Sequence, residues 1–149
     1  MTTPPGRETP AEALARLYDL DLQDDPGDLD LWTALAAEAG GPVLELMAGS
    51  GRVAVPLAGE GHPVTAVDID AAMLARARRR AEACGPEVAA RIDPVLADAT
   101  TLDLGPDRRF RLAFIALNSI LLLPSRAAQR AAWQVLAAHL EPGGVAAAD

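Results

Sequence analysis

The stretch that decides the fold is Val43-Leu44-Glu45-Leu46-Met47-Ala48-Gly49-Ser50-Gly51-Arg52, followed one helix-length later by Val64-Thr65-Ala66-Val67-Asp68. In the first, an apolar run carrying one carboxylate gives way to a glycine turn. In the second, an apolar run ends on an acid. Short apolar runs bounded by turn residues read as buried strands. Strand, glycine turn, helix, strand, acid is an order that places a nucleoside between the ends of two parallel strands. Small residues let the backbone approach a ligand, and the N–H groups of the turn and helix N-terminus attract negative charge. The acid closing the second strand is placed to accept hydrogen bonds from ribose hydroxyls. Glu45 adds a separate argument: a carboxylate inside an apolar run is costly to bury without a partner.

Working outward, residues 43–47 read as the first strand, 51–60 as a helix, 64–68 as the second strand and 71–84 as a long helix. A third strand is expected over 88–96, a fourth over 112–117 and the start of a fifth over 145–148. The helix over 125–140 is capped by Ser125 and ended by Pro142-Gly143-Gly144. Pro94 lacks a ladder donor, so the third strand belongs at a sheet edge. Pro56 falls inside the expected helix 51–60, where it removes a bond to Arg52 and predicts a kink or an irregular first turn. Strands alternating with helices imply right-handed crossovers and a mostly parallel sheet covered on both faces. Before the first strand, residues 11–20 form a helix with Leu14, Leu17 and Tyr18 at helical spacing. After a turn over 24–28, Asp28 is the N-cap of a second helix through Glu38, with Leu31, Leu35 and Trp32 facing inward. Residues 1–10, with three prolines, read as a mobile tail.

Composition narrows the classes. A chain of 149 residues is about one domain. Its 13 basic residues, all arginine, face 21 acidic ones for a net charge of −8, which argues against long-range attraction to nucleic acid. Arg76, Arg78, Arg79 and Arg80 are expected on a solvated helix face. The single cysteine, Cys84, excludes an internal disulfide and a cysteine metal cluster, and reads as a buried or half-exposed structural thiol. His62 and His139 have no ligand companions at useful spacing, and His139 sits where a helix dipole favours it. The longest apolar stretch, 112–123, is interrupted by Asn118 and Ser119 and is too short to span a bilayer. With no apolar leader, a soluble cytoplasmic protein is expected.

Five segments in order resemble the class I S-adenosylmethionine-dependent methyltransferases. Residues 43–52 are similar to the family's first motif, 64–70 to its second, Leu96-Ala97-Asp98-Ala99 to its third and 114–119 to its fourth; His139-Leu140-Glu141-Pro142-Gly143-Gly144 resembles the turn before its fifth strand. The resemblance implies a Rossmann-like, doubly wound, three-layer α/β/α domain over residues 11–149 that binds S-adenosyl-L-methionine and methylates a small-molecule substrate. It implies that Glu45 accepts from the cofactor's methionine ammonium and that Met47, Ala48, Gly49 and Gly51 bring the backbone close to it. It further implies that Asp68 binds the ribose hydroxyls, Ile69 and Met73 line the adenine face, and Asp98 and the Ala99 N–H read the adenine edge. Leu117 and Asn118 are then expected near the methionine amine and sulfonium, with Tyr18 closing over the cofactor. No catalytic base is implied by these motifs, and no metal. The family's run of prolines and an aromatic, typical of enzymes that methylate nucleic-acid amino groups, does not stand at Asn118-Ser119-Ile120.

Two departures stand out. The family usually has glycine where this chain has Met47, which is harmless if the backbone there keeps a negative φ and crowds the ligand if it does not. The family also continues beyond the fifth strand with antiparallel strands, so a chain ending at Asp149 is expected to be incomplete there and prone to associate through the open fifth-strand edge. Two other readings are weighed. Gly49-Ser50-Gly51-Arg52-Val53-Ala54 also satisfies the G-x-G-x-x-A form of an NAD(P)-dependent oxidoreductase, against which stands Glu45, a carboxylate beside the place a pyrophosphate would take. The second is a truncated fold that binds cofactor, or only a partner, without turnover. For the acids, the bland alternatives are a solvated loop position for Asp98 and a helix N-cap for Asp68, a role Asp70 fills better.

Overall fold

Five strands, β1 (Val43–Leu46), β2 (Val64–Asp68), β3 (Ile92–Leu96), β4 (Phe110–Ile115) and β5 (Leu140–Ala148), align in the order β3-β2-β1-β4-β5 with every neighbouring pair parallel. They belong to a computed structural model that describes residues 8–22 and 26–149. The chain builds outward from β1 to the β3 edge, then crosses back to lay β4 on the other side of β1. The winding direction therefore reverses between β1 and β4. The crevice at such a reversal, beyond the carboxyl ends of the strands, is where open α/β sheets hold ligands.

Helices α1 (Pro10–Asp21), α2 (Leu29–Ala39), α3 (Ala54–Gly59), α4 (Ala71–Cys84), α5 (Pro86–Arg91) and α6 (Arg126–Ala138) cover the sheet. Because side chains alternate along a strand, β1 sends Val43 to one face and Leu44 and Leu46 to the other. The first face packs Val43, Val64, Leu112 and Phe114 against Trp32 and Ala36 of α2 and Leu57 of α3. Trp32 stacks on Phe114 with ring centroids 4.3 Å apart. The second face packs Leu44, Leu46, Val67 and Ile115 against Ala132 and Leu136 of α6. Central strands buried on both faces are the reason their sequences read as continuous apolar runs. The expected three-layer α/β/α architecture is what forms.

Several local expectations need correction. The third strand begins at Ile92, not residue 88: Pro86 sits in the first turn of α5, whose fixed φ suits it, and Val88 is helical. Pro94 does lie on an edge strand, as the missing donor requires. The irregularity expected around Pro56 takes the form of a late start: residues 51–53 are turns and α3 begins at Ala54, which puts Pro56 in its first turn, where N–H groups lack intrahelical partners. Pro142-Gly143-Gly144 does not precede β5 but interrupts it, and the register moves from Phe110↔Leu140 to Leu112↔Val145. On α1, Ala15 is the buried position while Leu14 and Leu17 are exposed; on α2, Leu31 is exposed and Trp32 is buried. Cys84 is exposed.

Residues 1–7 of the expected tail, and residues 23–25, the last two of which open the expected turn, lie outside the described residues. Residues 8–10 of that tail are engaged: Glu8 pairs with Arg16 and Pro10 opens α1. Thr9 and Glu12 form a reciprocal capping box at the start of α1. His139, expected to complement a dipole, is a buried tie: its Nδ1 donates to the Val135 carbonyl at 2.7 Å and its Nε2 accepts from the Leu104 N–H at 3.1 Å. That pair of bonds fixes the loop before β4 to the end of α6.

Candidate functional site

The glycine turn leaves β1 through Met47, which adopts φ 57°, and passes Gly49 at φ 57° and Gly51 at φ 78°. A negative φ at Met47 was the harmless alternative; the structure has the left-handed one, a strained conformation for a side-chain-bearing residue. Leu117 (φ 57°) and Asn118 (φ 54°), just beyond β4, share it. These are the non-glycine residues with positive φ among the described residues, and they lie beyond the ends of the two strands that flank the winding reversal.

Two hydrogen bonds set the turn against β2. The Ala48 N–H donates to the Val67 carbonyl at 2.9 Å, and the Gly49 N–H donates to Asp68 Oδ2 at 2.8 Å. The other oxygen of Asp68 accepts from the Asp70 N–H at 2.9 Å. Asp70, as anticipated, caps α4 by accepting from Ala72 N–H at 2.8 Å. A carboxylate has about four acceptor sites, so Asp68 retains capacity for hydroxyl donors after making both backbone bonds. Gly51 has a different job: a Cβ there would lie 3.0 Å from Ala77 Cβ and from Val55 Cγ2, so its missing side chain lets the turn meet α4.

Alternation along β1 puts Glu45 on the face of Val43, opposite Phe114 in the β1–β4 ladder. It is 3% exposed, and its Oε2 has no hydrogen-bond partner. Burial pushes its carboxyl up to about 8; the Arg52 guanidinium and the Ala54 N–H pull the other way, while Asp68 and Asp28 push up. Arg52 is itself held by Asp28, whose oxygens accept at 2.6 and 2.7 Å. Asp28 was expected to cap α2, yet it makes no side-chain cap bond. Its carboxylate reaches instead for Arg52 and for Trp32 Nε1–H at 3.1 Å, and the Arg52 bonds hold it below the usual carboxylate range. Sequence reading missed this pair because 24 residues separate its members, and only the crossing of α2 over α3 joins them.

Tyr18 packs over the turn: a Cβ on Gly49 would stand 3.8 Å from its Cε1. Burial raises the Tyr18 phenol, Arg52 opposes the shift, and Glu45 and Asp68 add to it, which places that hydroxyl among the charges of the site. The helix carrying Tyr18 is tied to α4 by Asp19, which pairs with Arg76 and, at 3.3 Å, with Arg80. Those two arginines are therefore not simply a solvated face.

A cleft of about 280 Å³ opens beside the turn. Met47, Asp68, Ile69, Asp98 and Ala99 line it, together with Ala97, Thr100, Leu123, Pro124 and Ala128, which the sequence reading did not single out. Leu123 and Pro124 follow the short 3-10 turn Ser119–Leu122, and only its fold back over the sheet brings them to the cleft. Ile69, among the lining residues, is 71% exposed and presents its apolar side chain to the cleft. Asp98 accepts at 2.7 Å from both the N–H and hydroxyl of Thr100, bonds that hold its carboxyl below the usual range. Met73 is half-buried in the first turn of α4 and outside the lining, and Leu117 and Asn118 lie beyond β4. The groups present fit an adenosyl amino acid: apolar walls for a base and the Asp68 carboxylate for a sugar in the cleft, and, outside its lining, the orphaned buried oxygen of Glu45 for an ammonium. Among the described residues no cluster of His, Cys, Asp or Glu would hold a metal, and no helix is long and apolar enough to cross a membrane.

A parallel sheet with a strained glycine turn at its winding reversal and an acid at the end of the next strand defines a class I S-adenosylmethionine-dependent methyltransferase core. The chain belongs to the methyltransferase domain family, whose match covers residues 43–144. It is similar in structure to the CcbJ methyltransferase from Streptomyces caelestis, with 33% identity over 95% of this chain and 57% of that one and a TM-score of 0.80. It is also similar to the glycopeptide N-methyltransferase MtfA complexed with S-adenosyl-L-methionine, at 29% identity over 95% of this chain and 60% of that one, TM-score 0.72. The sugar N-methyltransferase KedS8 from a Streptoalloteichus species shares the fold, at 24% identity over 100% of this chain and 57% of that one, TM-score 0.74. No curated protein matches the chain by sequence. The chain spans somewhat over half the length of these solved relatives.

Proposed function

We propose that this chain binds S-adenosyl-L-methionine across the carboxyl ends of β1 and β2 and serves methyl transfer to a small-molecule acceptor. The observation that carries the reading is the buried, unpartnered Oε2 of Glu45, placed behind a glycine turn that Asp68 pins. In this reading Glu45 receives the ammonium, and Met47, Ala48 and Gly49 bring the backbone alongside the methionine portion. Asp68 accepts from the ribose hydroxyls. Ile69, with Met73 behind it, supports the adenine, whose edge meets Asp98 and the Ala99 N–H. Tyr18 shields the turn from water, Gly51 seats the turn on α4, and Leu117 and Asn118 border the sulfur from the β4 side.

Bound S-adenosylmethionine supplies an electrophilic methyl group on a positively charged sulfur. What the residues of this chain contribute is alignment: the turn and Asp68 hold the methionine portion and the sugar in place for the acceptor. No side chain here is assigned as a base. The relatives named above, two of them N-methyltransferases of a glycopeptide and a sugar, support a small-molecule acceptor.

Titration calorimetry with S-adenosylhomocysteine and with NAD tests the assignment. Binding of S-adenosylhomocysteine that is lost in Asp68→Ala is expected. Binding of NAD alone would replace this reading by that of an oxidoreductase. Glu45 favours the ammonium of S-adenosylmethionine, whose charge promotes its ionisation, over the pyrophosphate that such turns attract, whose charge would oppose it.

A further inference from the structure

We propose that Asp28 is a positioning residue for the amino end of the cofactor: it holds the Arg52 guanidinium beside Glu45 but off it, so that Glu45 Oε2 stays open to an ammonium. This rests on the S-adenosylmethionine reading above and extends it to a pair outside the family-like motifs.

The geometry is a closed circuit. Arg52 directs two nitrogens at Asp28, at 2.6 and 2.7 Å, the fork that guanidinium and carboxylate make best. Asp28 is in turn placed by Trp32, whose Nε1–H donates to it at 3.1 Å. Trp32 stacks on Phe114, 4.3 Å between centroids. Phe114 is the residue opposite Glu45 in the β1–β4 ladder. The position of Asp28 is thereby referred back to the strand pair that carries Glu45. Both members of the ion pair are mostly buried, with side chains 13% and 11% exposed, so solvent screens them little.

The arrangement resolves a conflict. A buried carboxylate needs a positive neighbour to ionise. A guanidinium with no other partner would bond to that carboxylate and occupy it. Arg52 acts on Glu45 electrostatically, yet Oε2 has no hydrogen-bond partner. Among the described residues, the charged groups that act on Glu45 are Arg52 before α3, Asp28 before α2 and Asp68 at the end of β2, with the phenol of Tyr18 from α1; β4 presents Phe114 opposite it. Of these, Asp28 takes the guanidinium by a two-point fork.

The test measures binding of S-adenosylhomocysteine, and of adenosine, which lacks the amino acid, to wild type, Asp28→Asn, Arg52→Met and the double variant. Carbon-13 NMR of the Glu45 carboxyl in the ligand-free protein is the second readout. Asp28→Asn is expected to weaken S-adenosylhomocysteine about tenfold, the worth of a charge-assisted hydrogen bond, and to leave adenosine unaltered. Its Glu45 titration midpoint is expected to fall as Arg52 moves onto the carboxylate. In the Arg52→Met background the Asp28 change is expected to do nothing further. Arg52→Lys, which keeps the charge but loses the fork, is expected to imitate Asp28→Asn and carries the test should that variant fail to fold. Equal loss of both ligands, no loss of either, or an Asp28 effect that persists without Arg52 would overturn the proposal. A wild type that binds no S-adenosylhomocysteine would overturn the cofactor reading, and this one with it.

Discussion

Asp68 and Gly49 are joined across 19 residues of sequence by a hydrogen bond of 2.8 Å, from the glycine N–H to the carboxylate that ends β2. The acid is thus structural before it is functional. It shapes the turn that a ligand must approach, and it keeps further acceptor sites for that ligand. Both of its oxygens already accept a backbone N–H, from Gly49 and Asp70. Asp68→Asn must therefore set an amide NH2 against one of those donors. It is expected to lower stability by about 1–3 kcal/mol, measured by urea denaturation. An unchanged midpoint would show that the turn does not depend on this carboxylate.

Glu45 makes a pH prediction with a definite sign. Its folded-state pKa is raised from 4.5 to about 8. Between those values the folded protein holds the proton and the unfolded chain has released it. The stability contributed by this group is therefore full below about pH 4.5 and falls as pH rises toward about 8. Thermal melts of wild type and Glu45→Gln across that window should diverge, with the wild type losing on the order of a few kcal/mol relative to the variant. Parallel curves would refute it.

The same group links cofactor binding to protons. An ammonium arriving at Glu45 favours the carboxylate, so S-adenosylhomocysteine binding near neutral pH should release up to one proton to the buffer. Calorimetry in buffers of different ionisation enthalpy reads this directly, and Glu45→Gln should abolish it.

Gly49 and Gly51 separate by the space around them. A Cβ on Gly51 would stand 3.0 Å from two side-chain carbons at a φ of 78°. Gly51→Ala should then combine backbone strain with overpacking and cost about 2–4 kcal/mol. On Gly49 the nearest atom would be 3.8 Å away, so Gly49→Ala should cost only the backbone term, about 1–2 kcal/mol. Guanidinium denaturation curves would rank the two, and the reverse order would contradict the packing.

Trp32 carries both an apolar and a polar load. It is 1% exposed, stacks on Phe114 and donates to Asp28. Trp32→Phe should keep the stacking and lose the hydrogen bond, at about 1 kcal/mol. Trp32→Ala should cost about 3–5 kcal/mol. Circular dichroism through a urea titration measures both, and a Phe variant as unstable as the Ala one would deny the separation.

Much of the frame was legible in the residues because it is local. The apolar runs over β1 and β2, the caps at Asp70 and Ser125 and the edge placement of Pro94 follow from spacing and from which residues can donate to a ladder. Helix faces read less well. Leu14, Leu17 and Leu31 obey helical spacing yet face outward, because small Ala15 and large Trp32 were the residues each helix buried. Periodicity defines a stripe; it does not say which stripe a neighbour will cover.

The sequence by itself determined the succession of strands and of every helix but α5, the glycine turn and the acid that follows it, since backbone preference and side-chain alternation act over a few residues. Only the tertiary structure decided that Glu45 is buried with an open oxygen, that Asp28 leaves its helix cap for Arg52, and that Tyr18 lies over Gly49. Those facts depend on which helices cross above which strands. Desolvation and charge pairing are then set by neighbours far away along the chain, which no local pattern records.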